Sequence, residues 1–319
     1  MNNFWQKLKK PILALAPMAG ITDSAFRQMC KLGGADVLYT EFVSTDAIVY
    51  ESKKTFGMLK FSESEKPVVV QIFGKKPEHY FKSVKVLSEL GYDGVDINFG
   101  CPAYKVVKSG GGVKLMLNLD LVKELVQAAC EASQIPVSLK VRASIEDKAT
   151  KVKITALDLV EKIKDLPVAA IMVHGRSFEK PFDGELDINS IIQVKEAFSA
   201  VVLANGGVYT PEIAKSLLEQ TGADGLGIAR GAWGKPWIFQ QIRDYLGIGK
   251  YRVSEWSEIK KTMLKHAKLT FQSKGEHGLV ELRKQLAWYV KGLPKAAELR
   301  SKLVRVNSLE DIQGILKNN

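Results

Sequence analysis

The sequence has only three cysteines, and none of them lies in a metal-binding pattern. Cys30, Cys101 and Cys130 are widely separated, and no Cys-x-x-Cys or cysteine–histidine spacing occurs in the 319 residues. A disulfide-linked scaffold or a structural zinc site needs cysteines at closer spacing than this. We therefore expect neither a disulfide framework nor a bound metal.

Long hydrophobic runs are also missing. Hydrophobic residues make up 46% of the chain and charged residues 25%, a composition typical of a soluble globular protein. Lys7, Lys9 and Lys10 precede an apolar run, as in a signal peptide, but that run is short and is bounded by Pro11 and Pro17. We interpret it as a buried strand and predict a cytoplasmic protein that does not bind a membrane.

Acidic residues are too few to balance the basic ones. The chain has 46 lysine and arginine residues against 35 aspartate and glutamate residues, which gives a net charge of +11. Residues 245–319 have 15 basic and 7 acidic residues, a balance of +8, whereas residues 1–244 have 31 and 28, a balance of +3. This distribution indicates an anionic partner for the last quarter of the chain, although a solvated helical surface would also produce it.

Apolar runs rich in β-branched residues alternate with helical patterns through the first three quarters of the chain. Continuous apolar strands are typical of a parallel sheet that is buried on both faces. Eight such units predict an α/β fold, a (β/α)8 TIM barrel, and a doubly wound open sheet is the alternative. The predicted strands cover residues 12–16, 37–40, 68–73, 95–98, 137–141, 170–174, 201–204 and 225–228.

After residue 245 the strand pattern stops and helical spacing takes over. Leu279, Leu282, Leu286 and Tyr289 share one face of a helix predicted over residues 276–291, and shorter helices follow over 296–303 and 309–316. We predict a catalytic barrel over residues 1–244 and a basic helical domain over residues 245–319, and we expect the chain to act as a monomer.

Polar residues and glycines cluster where the predicted barrel strands end. The loops at the carboxyl ends of the strands form the active site of a (β/α)8 barrel, so this clustering predicts a single site there. The residues are Pro17, Met18, Gln71, Asn98, Cys101, Lys140, Arg142, His174, Arg176, Asn205, Gly206, Gly207, Ala229 and Arg230.

The chemistry of these strand ends suggests an anionic, aromatic ligand. Residues 205–207 and 229–231 combine glycines with an arginine, which favours a phosphate site over two ordinary tight turns. Lys140 lies among apolar residues and needs an anionic partner, either the edge of a reduced flavin or a nearby acid such as Asp96. Gln71 can both donate to and accept from a flavin or pyrimidine ring. His174 is interpreted as a phosphate or substrate contact, or else as an ordinary core residue.

Cys101 leaves a strand end into a glycine-rich, basic loop over residues 105–112. A thiol in this position can act as a nucleophile or donate a proton near neutral pH. Cys30 and Cys130 occur in helical patterns, and we expect both of them in the hydrophobic core.

Seven segments form a recognisable set: residues 16–23 (APMAGITD), 70–72 (VQI), 96–102 (DINFGCP), 139–142 (LKVR), 173–176 (VHGR), 204–206 (ANG) and 234–239 (GKPWIF). Together they resemble the tRNA-dihydrouridine synthase family, and most of all its bacterial DusB subgroup. The resemblance spans essentially the whole chain, including the basic tail.

The resemblance implies an FMN-dependent enzyme that uses NADPH to reduce a uridine in the D-loop of tRNA to 5,6-dihydrouridine. Reduced flavin would deliver hydride to C6 of the uracil, and Cys101 would protonate C5 as the general acid. Asn98 and His174 would position the base or the cofactor. The implied flavin contacts are Pro17, Met18, Ala19, Gln71 and Lys140 at the ring, Asn205, Gly206, Gly207, Ala229 and Arg230 at the phosphate, and His174 as a further cofactor-binding residue.

The basic tail fits this implied substrate, because an enzyme that turns a uridine out of folded tRNA must hold a large polyanion. Expected RNA contacts are Asn98, Lys105, Lys108, Arg142, Arg176, Lys261, Lys265, Lys268, Arg283, Lys284 and Lys291. A dihydroorotate dehydrogenase-like FMN barrel acting on a free pyrimidine and a non-catalytic RNA-binding protein are the alternatives.

Three positions depart from the family pattern. Gly207 stands where an aspartate is usual, so a contact to a ribityl hydroxyl is lost or replaced. Ala229 stands where a glycine is usual and keeps a small side chain beside Arg230. Val113 stands where a smaller residue is usual, so the packing of the Cys101 loop differs.

Overall fold

The predicted barrel is confirmed. In this computed structural model, which describes residues 3–108 and 110–318 apart from the side chain of Lys105, eight parallel strands pair in an unbroken ring. The strands in chain order are β1 (Ile12–Leu15), β2 (Val37–Tyr39), β3 (Val43–Ser44), β4 (Val68–Phe73), β5 (Gly94–Phe99), β6 (Val137–Arg142), β7 (Ser144–Glu146), β8 (Lys153–Thr155), β9 (Ala170–His174), β10 (Val201–Asn205) and β11 (Gly225–Ile228). All of them except β3, β7 and β8 belong to the ring, which closes because β1 pairs with both β2 and β11.

The barrel strands are buried on both faces, as their continuous apolar sequences require. One face packs against the surrounding helices, and the other fills the barrel with side chains that include Tyr39, Met172 and Leu203. Trp5, which is 1% exposed, packs against Tyr39 with ring centroids 6.4 Å apart and belongs to the interior cluster. Gly225 allows β1 and β11 to approach, since a Cβ there would lie 2.1 Å from the Ile12 carbonyl oxygen.

Thirteen α-helices lie in the described part of the chain. Pro77 and Pro211 occupy the first turns of α4 and α9, where a missing backbone N–H costs nothing. The helices are α1 (Ser24–Leu32), α2 (Thr45–Val49), α3 (Lys53–Met58), α4 (Pro77–Glu89), α5 (Tyr104–Lys108), α6 (Leu119–Ala132), α7 (Ala156–Ile163), α8 (Ile188–Ala197), α9 (Pro211–Thr221), α10 (Ile238–Ile248), α11 (Trp256–Tyr289), α12 (Ala296–Leu303) and α13 (Leu309–Lys317). Short 3₁₀ helices cover Phe4–Lys7, Glu63–Glu65, Gly112–Leu117 and Arg230–Ala232.

The residues after α10 form a helical region with a hydrophobic cluster of its own, as the sequence predicts. Gly275 has φ +63° and ψ −155°, so α11 consists of two helical halves, and the predicted helix over residues 276–291 is the second half. The two regions are in contact, because α11 packs against α1. Helix α10 runs across the predicted boundary between residues 244 and 245, and the division into two domains stays a prediction.

None of the helices in the described residues is long and apolar enough to cross a membrane.

Candidate active site

A cavity of about 840 Å³ lies at the carboxyl ends of the barrel strands. This volume falls within the range of roughly 300–1,000 Å³ that is typical of ligand sites. The predicted residues that line it are Pro17, Met18, Ala19, Gln71, Asn98, Cys101, Lys140, Arg142, His174, Arg176, Asn205, Gly206, Gly207, Ala229 and Arg230. The structure therefore brings together all the predicted flavin contacts with Cys101, Asn98, Arg142 and Arg176. The other predicted RNA contacts in the described residues are not among those that line the cavity: Lys108, Lys261, Lys265, Lys268, Arg283, Lys284 and Lys291.

A chain of hydrogen bonds runs through the base of the cavity to the Cys101 loop. Asp96 is buried and accepts from Ser138 Oγ at 2.7 Å and from Gln71 Nε2 at 2.7 Å. Gln71 Oε1 accepts in turn from Asn98 Nδ2 at 2.9 Å. Asn98 Oδ1 then accepts from the backbone N–H of Cys101 at 2.8 Å. Two buried amides thus fix the backbone next to the thiol.

Lys140 does not form the ion pair with Asp96 that the sequence left open. Its Nζ donates to Asn205 Oδ1 at 3.0 Å, and in the described part of the chain it belongs to no salt bridge. Asn205 is held in this orientation because its Nδ2 donates to the Gly227 carbonyl oxygen at 2.6 Å. Burial raises the pKa of Asp96 to about 6, although Gln71, Ser138 and the charge of Lys140 oppose the rise. The charge of Lys140 is therefore available to a ligand.

The cavity contains more positive charge than its own acids balance. Burial, and then repulsion from Arg142, lowers the pKa of Lys140 to about 8. Burial and the neighbouring charges of Lys140, Arg142, Arg176 and Arg230 lower the pKa of His174 to about 2, so its imidazole is neutral at pH 7. Nη1 of Arg176 is buried and has no hydrogen-bond partner in the described residues. Such an arrangement is suited to an anionic ligand, because an unpaired buried cation is costly.

Arg142 and Arg176 also bind the loops of the cavity together. Arg142 Nε donates to the Gly100 carbonyl oxygen at 2.8 Å, and its Nη1 donates to that of Ser177 at 3.2 Å. Arg176 Nε donates to the Gly184 carbonyl oxygen at 2.5 Å. The predicted contact of both arginines with substrate stays a prediction.

Glycines and Arg230 form the other end of the cavity. Gly206 and Gly207 have φ values of +121° and +71°, which side-chain-bearing residues rarely adopt. A Cβ on Gly206 would also lie 2.7 Å from Leu186 and 2.9 Å from His174. The guanidinium of Arg230 lies 5.8 Å from the ring centroids of both Phe182 and Tyr209. Only glycine therefore fits at these two positions, and a glycine turn with an arginine beside it is suited to phosphate binding.

Cys101 lies partly exposed on the wall of the cavity, and its thiol is protonated at neutral pH. Burial raises the pKa of this thiol, while a hydrogen bond from the Ala103 N–H, at 3.5 Å, and the charge of Arg142 oppose the rise. A protonated thiol beside a substrate cavity can donate a proton. Of the other cysteines, Cys30 is buried in α1 as expected, whereas Cys130 is only partly buried in α6.

Two predicted RNA contacts of the C-terminal region, Arg283 and Lys284, donate to backbone carbonyl oxygens. Lys284 Nζ donates to the Gly20 carbonyl oxygen at 2.6 Å, next to the loop that holds Pro17 and Met18. Arg283 is bound within the C-terminal helices, where its Nε donates to the Val306 carbonyl oxygen at 2.8 Å. The side chain of Lys105 lies outside the described residues.

Several residues that line the cavity were not predicted. They are mostly aromatic and come from loops rather than strand ends: Phe42, Phe178, Phe182, Tyr209 and Trp233. Trp233 directly precedes the segment at residues 234–239 that carries part of the resemblance, so the sequence next to it offered a signal. A single phenylalanine in a loop, such as Phe42, gives no sequence signal that it reaches the cavity. No group of three His, Cys, Asp or Glu side chains that could hold a metal occurs in residues 3–108 and 110–318.

Comparison with known families and proteins gives consistent results. The family model described as dihydrouridine synthase (Dus) matches residues 14–318. The chain is 36% identical over 308 residues to tRNA-dihydrouridine synthase B of Pseudomonas syringae pv. tomato, covering 96% of this chain and 89% of that protein. It is 30% identical over 303 residues to probable tRNA-dihydrouridine synthase 1 of Synechocystis sp., covering 94% and 84%.

Solved structures support the fold alone. Histamine dehydrogenase from Rhizobium sp. 4-9 has a TM-score of 0.56 at 12% identity, covering 81% of this chain and 48% of that one. Morphinone reductase has a TM-score of 0.53 at 12% identity, covering 79% and 91%. Neither alternative function is favoured by these comparisons. Over nearly its whole length, this chain belongs to the dihydrouridine synthase family and resembles its B-type members.

Proposed function

We propose that this protein is a tRNA-dihydrouridine synthase that binds FMN and takes its reducing equivalents from NADPH. The observation that carries the proposal is a protonated Cys101 thiol on the wall of a cavity whose Lys140, Arg176 and Arg230 offer unbalanced positive charge. Relatives named tRNA-dihydrouridine synthase B support tRNA as the substrate.

The residues of the cavity fit FMN at both of its ends. The glycine turn at Gly206 and Gly207, with Arg230 beside it in the cavity lining, fits a terminal phosphate. Gln71 and Lys140 fit the polar edge of the ring, because Lys140 offers its charge there and Gln71 is held in place by Asp96. Bound FMN supplies the hydride for reduction of the uracil C5–C6 bond.

The chain's own residues position the base and supply the proton. Cys101 donates its proton to C5 on the face opposite the hydride, since the raised pKa of its thiol keeps it protonated near pH 7. Asn98 holds the Cys101 backbone and leaves its amide next to the space for the base. His174, which is neutral, accepts or donates a hydrogen bond without adding charge.

The basic tail over residues 245–319 would hold the tRNA while the barrel over residues 1–244 carries out the reduction. We expect the enzyme to act in the cytoplasm, where tRNA is found, and as a monomer.

Replacement of Cys101 by alanine tests the general-acid role. We predict that Cys101→Ala still binds FMN and oxidises NADPH but forms dihydrouridine about 10²–10⁴ times more slowly, as expected for the loss of a general acid. Products are measured by digestion and mass spectrometry of tRNA, and the flavin is identified after release from the protein. Cys130→Ala is the matched control, because that thiol lies in α6 outside the cavity. Equal product yields from the Cys101→Ala and wild-type proteins would remove the role.

A further inference from the structure

A second cavity, of about 820 Å³, lies beside the active site and has no role in the proposed reaction. Phe42 and Ala103 line both cavities, so the two are adjacent. Four residues that follow Cys101 in the chain line the second cavity: Ala103, Tyr104, Val106 and Gly111. A ligand in it would therefore lie next to the substrate base.

Aromatic rings form much of this second cavity. Phe42 and Phe73 pack edge to face with their centroids 5.2 Å apart. The ring of Tyr104 is 75% exposed, with Lys108 Nζ 5.9 Å from its centroid. An exposed aromatic ring beside a lysine is a typical platform for an unstacked nucleobase.

Polar groups of opposite charge complete the cavity. The half-exposed Asp46 carboxylate is oriented by His79, whose Nδ1 lies 2.6 Å from Asp46 Oδ1 and whose ring is buried. The second oxygen of this carboxylate remains able to accept a hydrogen bond, and an ionised carboxylate can only accept. Lys75 adds an exposed positive charge on the same wall, suited to a phosphate.

We propose that this cavity binds the nucleotide next to the target uridine, which rests on the proposed function of the active site. The base stacks on Tyr104, and its N–H edge donates to Asp46. Guanine fits this acceptor, because its N1–H and N2 amino group are adjacent donors, whereas adenine presents an acceptor at N1. Turning the uridine out of the RNA breaks its stacking on this neighbour, and the aromatic cavity replaces the lost stacking.

Steady-state kinetics with tRNA transcripts test the site through Tyr104→Leu and Asp46→Asn. Tyr104→Leu should raise the KM for tRNA by about 5- to 150-fold while leaving the flavin spectrum and the KM for NADPH unchanged. Asp46→Asn should reduce the preference for guanine over adenine at the neighbouring position, tested on each side of the uridine. Phe81→Leu is the control, because Phe81 is an exposed aromatic residue of α4 that lines neither cavity.

Photo-cross-linking does not require turnover, so it tests this site independently of the proposed reaction. Transcripts carrying 8-azidoguanosine next to the target uridine should cross-link to the segment over residues 104–111 even when product is not formed. An unchanged KM for tRNA in Tyr104→Leu, together with cross-links only elsewhere, would overturn the site. A raised KM for NADPH with normal tRNA kinetics would assign the cavity to the nicotinamide nucleotide and also overturn it. A wild-type protein that cross-links there but makes no dihydrouridine would contradict the proposed function instead.

Discussion

The orientation of the Cys101 loop depends on which way two buried side-chain amides face. Asn98 can accept from the Cys101 N–H only while its own Nδ2 faces Gln71. Gln71 presents its oxygen to Asn98 only while its Nε2 faces Asp96. Because an ionised carboxylate accepts and cannot donate, Asp96 determines the direction of both amides. A residue that touches no substrate thus determines where the proton donor lies.

Asp96→Asn tests this orienting role. An asparagine can donate as well as accept, so both amides can turn over and leave the Cys101 N–H without an acceptor. We predict a loss of about 5- to 150-fold in dihydrouridine formation, which corresponds to one unsatisfied buried group, with a smaller change in FMN affinity. Ser138→Ala is the control, because it removes a hydrogen bond to Asp96 without reversing any amide.

The pH profile distinguishes orientation from a loss of packing. Burial raises the pKa of Asp96 to about 6, so its carboxyl becomes protonated, and able to donate, as the pH falls below 6. The rate of the wild-type protein should therefore fall towards that of Asp96→Asn as the pH drops below 6. The rate of Asp96→Asn should not show this decrease. If the rate of Asp96→Asn falls in the same way below pH 6, protonation of Asp96 is not the cause of the decrease.

Lys140 supplies a charge that depends on pH just above neutrality. Burial, followed by repulsion from Arg142, lowers its pKa to about 8, so the free site loses this positive charge as the pH rises through 8. We predict that FMN affinity, measured by flavin fluorescence quenching, falls by up to about tenfold per pH unit above 8. Lys140→Met should bind weakly at every pH, and Lys140→Arg should keep its affinity at pH 9. A wild-type affinity that is constant from pH 7 to 9.5 would contradict this assignment.

The sequence predicts the polar side chains of the site and misses the aromatic ones. Gln71 and Lys140 lie near the ends of recognisable strands and Arg230 follows one, and the barrel fold requires such positions to meet. Phe42 and Phe182 lie in loops without periodicity, so only the folded chain shows that they reach the cavity. The sequence does not show hydrogen-bond partners either, since Lys140 and Asp96 lie on adjacent strands but bind different side chains.

The contact between the barrel and α11 is built on two stacked indoles. Trp233 and Trp288 lie with centroids 4.3 Å apart and planes 7° apart, and Trp233 Nε1 lies 3.1 Å from Met18 Sδ in the cavity wall. Gly234 permits this approach, because a Cβ there would lie 2.4 Å from the Trp288 carbonyl carbon. Helix α11 is thereby coupled to the loop that is expected to line the flavin.

Trp288→Ala should loosen α11 from the barrel. Trp288 is half-buried, so we predict a loss of about 2–4 kcal/mol in the free energy of unfolding. Urea denaturation gives this energy, and hydrogen exchange should become faster along the second half of α11. Trp288→Phe is the matched variant, because it keeps a ring against Trp233. Equal losses in the alanine and phenylalanine variants would show that stacking does not hold the helix.

Long strands and helices with a clear hydrophobic pattern are predictable from the sequence, and very short strands are not. The eight barrel strands were expected to within a few residues, because each is a continuous apolar run. Strand β3 and the hairpin of β7 and β8 have only two or three residues each, too few to show a period of two. The break at Gly275 was not predicted either, since an isolated glycine within a helical pattern is often tolerated.

Some lysines of the basic tail form salt bridges in the described residues, and others do not. Lys274 and Lys302 form salt bridges with acids of the described chain, so part of their charge is neutralised. Lys261, Lys265 and Lys268 are exposed on the first half of α11 and belong to none of the salt bridges in the described residues. Because their spacing of four and three residues places them on one face of α11, these three lysines together form a row of positive charge suited to bind phosphates.

Replacing all three of these lysines by glutamine should weaken tRNA binding and reduce its dependence on salt. Each phosphate contact releases condensed cations, so the slope of log K against log salt should fall in magnitude by about 2–3 for three lost contacts. Binding is measured by fluorescence anisotropy between 50 and 300 mM KCl, with NADPH oxidation as a check on the barrel. The control removes the same charge from Lys123, Lys162 and Lys164, which pair with acids on the barrel surface. If both triple variants change the slope equally, binding depends on net charge alone; if only the α11 variant does, this helix face contacts the RNA backbone.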